Sequence, residues 1–213
     1  MNHSEPVARE GWPFILLFAL VGVLLYLKTG TAGAIAGLVL TAFGIFFFRN
    51  PHRQIPERRG TVVAPADGRV MDIKTVTEDK YLHAQAIRVR IFLSIFNVHI
   101  NRIPVAGQVN WVQKVSGLYL PAYKDEAGDK NARNYVGIIT EWGKILVVQI
   151  TGLIARRLVC WIQTGDTLET GQRFGLIRFG SCTEIYLPED VSMLVTPGQK
   201  VKGGETVIAR FCE

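Results

Sequence analysis

The sequence predicts a mainly β domain, built as a flattened β-sandwich, behind an N-terminal transmembrane helical hairpin. Three observations predict it. Two apolar runs without an ionised side chain, Pro13 to Leu27 and Ala32 to Phe48, flank a polar break at Lys28-Thr29-Gly30-Thr31. From Thr61 onward, short apolar stretches alternate with Gly, Pro and Asp turns, and no helix of three turns is patterned there. Near the C-terminus, Gly165 to Phe174 is repeated as Gly198 to Val207, with both glycines recurring.

Each apolar run falls slightly short of the roughly 20 residues that span a bilayer upright. Two arrangements follow: a tight hairpin of two thin spans, or one span with a partly inserted partner. The hairpin is preferred, and Gly33 and Gly37 have the small-xxx-small spacing that lets membrane helices approach closely. The first run lacks the basic flank and small-residue cleavage site of a secretory signal. After the second run, Phe48 to Arg59 carries four arginines against one glutamate. The positive-inside rule then puts the remainder in the cytoplasm. The expected organisation is an anchor over 1–48 at the cell membrane and a cytoplasmic β-rich domain over 49–213.

The formal net charge of +6 suits an anionic membrane surface, and no motif for nucleic acid is present. Cys160, Cys182 and Cys212 show neither paired nor metal-ligand spacing, so neither a disulfide framework nor a metal site is expected. Cys182 reads as a packing residue.

Within the β domain, Thr61-Val62-Val63-Ala64 and Arg69-Val70-Met71-Asp72-Ile73 flank Pro65-Ala66-Asp67-Gly68, a pattern that predicts a hairpin with Asp-Gly at its turn. Ala86 to Phe92 alternates arginines with aliphatics, as in a half-buried strand. Leu93 to Gly107 reads as a polar-decorated loop or strand end, and Gln108 to Val115 as a strand. Tyr119 to Asn134 is polar and weakly periodic, as in a mobile loop near a site. Gly137 to Thr140 and Lys144 to Gly152 read as strands, as do Phe174 to Phe179 and Thr183 to Leu187.

The glycine repeat resembles the half-motifs of biotinyl and lipoyl domains, flattened sandwiches with quasi-two-fold symmetry. Those carriers present a lysine at a hairpin tip. The equivalent stretch here, Gly180 to Val195, has no lysine and begins with Gly180-Ser181. Taken locally, that pair is a turn.

Four motifs in order change this reading: Pro65-Ala66-Asp67-Gly68-Arg69-Val70, Phe96-Asn97-Val98-His99-Ile100-Asn101-Arg102, Ala155-Arg156-Arg157 and Arg178-Phe179-Gly180-Ser181. Together they resemble phosphatidylserine decarboxylase, in its short bacterial and archaeal form, from about Phe48 to Phe211. The resemblance implies a proenzyme that cuts itself between Gly180 and Ser181 into 1–180 and 181–213, which stay associated. Ser181 then becomes a pyruvoyl group, so neither PLP nor a metal is needed. It implies an Asp67, His99, Ser181 arrangement for self-cleavage, His99 taking the hydroxyl proton and Asp67 fixing its tautomer. The pyruvoyl ketone would form a Schiff base with phosphatidylserine and accept the electrons released with carbon dioxide, giving phosphatidylethanolamine. Longer relatives carry a second histidine in this motif. This chain has one, which would leave His99 to serve both reactions. Arg102, Arg156 and Arg157 are candidates for holding the lipid phosphate or carboxylate. Homo-oligomerisation is left open.

Two other classes compete. A membrane-anchored carrier or binding module would keep its chain whole, but the carrier lysine is absent. A serine hydrolase would share Asp, His and Ser, but the G-x-S-x-G elbow is missing.

Overall fold

The structure is a computed structural model and describes residues 3–122, 126–153, 157–178 and 181–212. The chain divides into two units, 1–52 and 53–213. In the first, α1 (Trp12–Thr29) and α2 (Thr31–Phe47) are joined at Gly30, whose φ of 64° is the left-handed conformation that a side chain would resist. The helices meet where Gly22 faces Gly37: a Cβ on Gly22 would lie 2.8 Å from the Gly37 Cα, so a larger residue would hold the backbones apart. Ala8 N donates to Phe48 O at 2.9 Å, and Asn50 Nδ2 donates to His3 O and Glu5 O, closing the base of the hairpin. Leu16, Leu20, Leu24, Leu38 and Val39 are exposed on its outside, a surface that suits lipid better than water. Arg9–Thr29 is long and apolar enough to cross a membrane, and Thr31–Phe47 is a shorter apolar helix. Together these features support membrane association.

The second unit is built from strands. In chain order they are β1 (Thr61–Val63), β2 (Gly68–Glu78), β3 (Ala84–Leu93), β4 (Ile100–Arg102), β5 (Gly107–Val115), β6 (Arg133–Thr140) and β7 (Gly143–Ile150). There follow β8 (Leu158–Cys160), β9 (Thr167–Leu168), β10 (Arg173–Ile177), β11 (Ser181–Leu187), β12 (Val191–Met193), β13 (Lys200–Val201) and β14 (Val207–Phe211). One large sheet runs β13-β2-β3-β11-β7-β6-β5-β9, beside two small sheets, β1-β14-β12 and β4-β10-β8.

Read from either end, the large sheet has the same plan. Short β13 pairs with β2 at Gly68, and short β9 pairs with β5 at Gly107. The repeated glycines adopt matching positive φ: 101° and 89° at Gly165 and Gly198, 77° and 80° at Gly171 and Gly204. The predicted repeat is thus a structural two-fold. One half is continuous, from β4 to β10; the other joins β1–β3 to β11–β14. The chain therefore crosses from one half to the other twice, between β3 and β4 and between β10 and β11.

The main core lies on one face of the large sheet and includes Leu93, Val147, Phe174, Ile185 and Ile208. Tyr81, Tyr135, Leu146, Val148 and Cys182 pack on the opposite face. Alternate residues of β7 and β11 thus enter separate apolar layers, which is why the β7 sequence is apolar almost throughout.

Several local expectations change. The hairpin expected across Asp67-Gly68 is not formed: β1 pairs with β14, and β2 with β3. Gly68 opens β2 so close to β3 that a Cβ there would strike Phe92 O, so this glycine serves strand contact and not a two-residue turn. The hairpin expected after Gly180 is likewise not formed over the described residues 181–195. β11 lies between β3 and β7, whereas β12 pairs with β14. Within 119–134, Asn131 is buried and bonds Leu120 and Thr151, followed by the start of β6.

The arginine-bearing face of β3 is also covered. Arg90 is 2% exposed, with Glu184 Oε1 at 3.2 Å and Asp72 Oδ2 at 3.3 Å. Alternation could not reveal acids so distant in sequence. Removing Glu184 takes one acidic partner from the buried Arg90 and leaves it Asp72, so Glu184→Ala should cost about 3 kcal/mol in urea unfolding; an unchanged midpoint would show the pair to be energetically silent.

Candidate active site

The site is assembled from the two crossings. Ser181 opens β11 opposite Leu93 of β3, and the next residue, Cys182, pairs with Phe92 of β3 and Ile150 of β7. The Ser181 side chain is fully buried, and its Oγ has no hydrogen-bond partner among the described residues. Alternation along β11 puts Ser181 and Thr183 on the face of Ile185 and Leu187, which belong to the main core.

His99 sits at the end of the other crossing. Its carbonyl accepts from Ile177 N at 3.1 Å, extending the β4–β10 pairing to within four residues of Ser181. Asn97 holds the preceding turn, its Oδ1 accepting from Ser94 N at 2.9 Å and Ser94 Oγ at 2.7 Å. His99 Nδ1 lies 2.9 Å from Asn97 O. A carbonyl only accepts, so this bond puts a proton on Nδ1 and, in the neutral ring, the lone pair on Nε2. The imidazole is buried, 2% exposed.

Side chains two residues beyond each centre tie the crossings together. Asn101 Nδ2 donates to Thr183 Oγ1 at 3.0 Å, and Gln149 Nε2 donates to Asn101 Oδ1 at 2.8 Å. Asn134 Nδ2 donates in turn to Gln149 Oε1 at 3.0 Å. All four residues are fully buried, so this network fixes relative position strongly.

Asp67 reaches the same region because Pro65 O accepts from Arg102 N at 2.9 Å. Its carboxylate takes both oxygens to Arg53 Nη2, at 2.7 and 3.0 Å, and accepts from Gly203 N at 2.8 Å. Arg102 is buried beneath, donating Nη1 to Gly171 O at 2.9 Å. Burial, with Arg173 and Arg53 nearby, lowers its pKa to about 10. Arg157 is exposed, and its carbonyl accepts from Arg178 N at 3.4 Å, three residues before Ser181 in the chain. Arg156 and Gly180 lie outside the described residues.

Burial, reinforced by Glu184, pushes the Cys182 thiol up to about 12. It stays neutral near pH 7, as a packing residue should. Sequence reasoning missed Asn97, Asn101, Gln149, Thr183 and Arg53. Gln149, a lone amide inside an apolar strand, carried a readable signal; Arg53 was absorbed into the basic cluster.

Comparison with known proteins gives the class first: over nearly its whole length the chain is similar to bacterial decarboxylase proenzymes. It is 50% identical over 207 residues to the phosphatidylserine decarboxylase proenzyme of Symbiobacterium thermophilum, covering 96% of this chain and 95% of that one. The proenzyme of the same description from Carboxydothermus hydrogenoformans is 50% identical over 211 residues, covering 98% and 99% of the two chains. That from Syntrophus aciditrophicus is 42% identical over 213 residues, covering 99% and 100%. The phosphatidylserine decarboxylase family profile matches residues 40–209. The chain belongs to the phosphatidylserine decarboxylase family.

Proposed function

We propose that the chain cuts itself between Gly180 and Ser181 and then decarboxylates phosphatidylserine to phosphatidylethanolamine, using a pyruvoyl group made from Ser181. The observation that carries this reading is the Ser181 hydroxyl, buried without a hydrogen-bond partner among the described residues. A buried polar group left this way calls for an explanation, and a hydroxyl that the protein consumes supplies one.

In this reading His99 Nε2 takes the Ser181 proton as Oγ attacks the Gly180 carbonyl. The peptide C–N bond breaks and an ester forms. Loss of the Ser181 Cα proton then expels the Gly180 carboxylate, leaving a dehydroalanine that water converts to pyruvoyl with release of ammonia. Asp67, held by Arg53 and Gly203, anchors the Pro65–Gly68 segment beside the site, while Asn97 O, and not Asp67, holds the His99 Nδ1 proton. The network of Asn101, Thr183 and Gln149 keeps both crossings in register. The pyruvoyl carbonyl supplies an electron sink for the decarboxylation.

After cleavage, β11 retains seven register pairs with β3 and five with β7, so fragment 181–213 remains bound to 1–180. The basic segment after the hairpin supports a cytoplasmic, membrane-facing location.

The test is turnover in nonionic micelles containing phosphatidylserine. Release of carbon dioxide and phosphatidylethanolamine is expected, and hydroxylamine, which captures ketones, should abolish it. Undiminished turnover in excess hydroxylamine would contradict a pyruvoyl enzyme.

A further inference from the structure

Beside the catalytic set lies a cleft of about 940 Å³, lined among others by Asp67, Arg69, Phe92, Phe96, Lys200 and Lys202. At one side it reaches Asn97, the residue whose carbonyl holds His99. Arg69 and Lys200 are direct cross-strand partners in the β2–β13 pair. Like charges opposite each other on a sheet destabilise it, and Lys202 adds a third cation one pleat further on.

The nearby acids offset only part of this charge, and they leave Arg69 and Lys200 without an acidic ion-pair partner among the described residues. Asp67 is engaged by Arg53 through both oxygens. Glu205 lies 3.4 Å from Arg53 and 3.7 Å from Lys202, and is shared between them. Arg69 is held in place by a 2.9 Å bond from Nη1 to Gly198 O. Phe96, which also lines the cleft, is 65% exposed and adds an aromatic surface to a cationic one. A phosphodiester linked to glycerol and acyl chains matches that combination: oxygens for the cations, hydrocarbon for the ring.

We infer that Arg69, Lys200 and Lys202 form a phosphodiester subsite that holds the substrate's headgroup while its amine and carboxylate reach the Ser181 centre. This rests on the decarboxylase reading above. It assigns phosphate binding to residues on β2 and β13, apart from Arg102, whose guanidinium is turned to Gly171.

Steady-state kinetics of the self-cleaved holoenzyme in nonionic micelles tests the assignment, with phosphatidylserine varied as a mole fraction. Lys200→Gln and Arg69→Gln should each raise KM about tenfold with little change in kcat, as expected for losing one charge-assisted bond to the substrate. Lys200→Arg should restore KM. Completion of self-cleavage, read on a gel, reports folding; a variant that fails it is replaced by Lys202→Gln, at an exposed position outside the strands. Wild-type KM in the cleaved charge-neutral variants would overturn the subsite. A KM effect confined to anionic vesicles and missing in nonionic micelles would overturn it too, assigning the cations to the bulk membrane surface. Failure of the wild-type enzyme to decarboxylate phosphatidylserine would instead remove the underlying reading, and the subsite with it.

Discussion

Ser181→Ala is expected to leave the chain whole and without decarboxylase activity. The substitution removes one atom, and that atom has no hydrogen-bond partner among the described residues. Stability should therefore change little, because no bond is broken and the cavity is small. The backbone pairings of β11 with β3 and β7 do not depend on the hydroxyl. The nucleophile for peptide cleavage and the precursor of the ketone are nevertheless lost together. A gel should show one full-length species, and product should fall to the background of enzyme-free micelles. Two fragments, or measurable turnover by the uncleaved chain, would show that the Ser181 hydroxyl is not the reacting group.

His99→Gln is expected to slow self-cleavage by about 10²- to 10⁴-fold, the usual contribution of a positioned general base. The amide fills much of the imidazole's volume but cannot take a proton from a hydroxyl near neutral pH. His99→Ala should block processing as well, although it also opens a cavity in a buried position. Circular dichroism retaining the β signature in the glutamine variant would separate chemistry from folding. Precursor should then accumulate during expression and convert only over prolonged incubation. Complete cleavage of His99→Gln at the wild-type rate would remove His99 from the proton-transfer role and leave its bond to Asn97 as purely structural.

The outline of the fold was legible because its signals are local. Uncharged apolar runs mark the helices, and alternation punctuated by Gly and Pro marks the strands. The glycine repeat was legible for the same reason: Gly165 and Gly171 need the same backbone conformations as Gly198 and Gly204. Strand partners were not legible. Asp67-Gly68 has the composition of a hairpin turn, yet its strands go to different sheets, because pairing is decided by which long-range faces bury together. Arg90 looked solvated because Glu184 lies nearly a hundred residues away in the chain.

The site divides in the same way. Asp67, His99 and Ser181 are proposed from motifs, whereas the polar network depends on Asn101, Gln149 and Thr183 meeting from three separate strands. Single buried amides of this kind become informative only when their partners are known. The two-fold supplies what the motifs lacked: His99 lies on one crossing between the halves, and Ser181 begins directly after the other.

Intact mass spectrometry of the purified full-length protein tests the central claim most directly. The account predicts two species, residues 1–180 with a free carboxyl end and residues 181–213 with a blocked amino end. Their summed mass should equal that of the precursor plus one water and minus one ammonia. A folded protein of undivided mass would contradict self-cleavage, and fragments summing to the precursor plus one water would indicate simple hydrolysis without a pyruvoyl group.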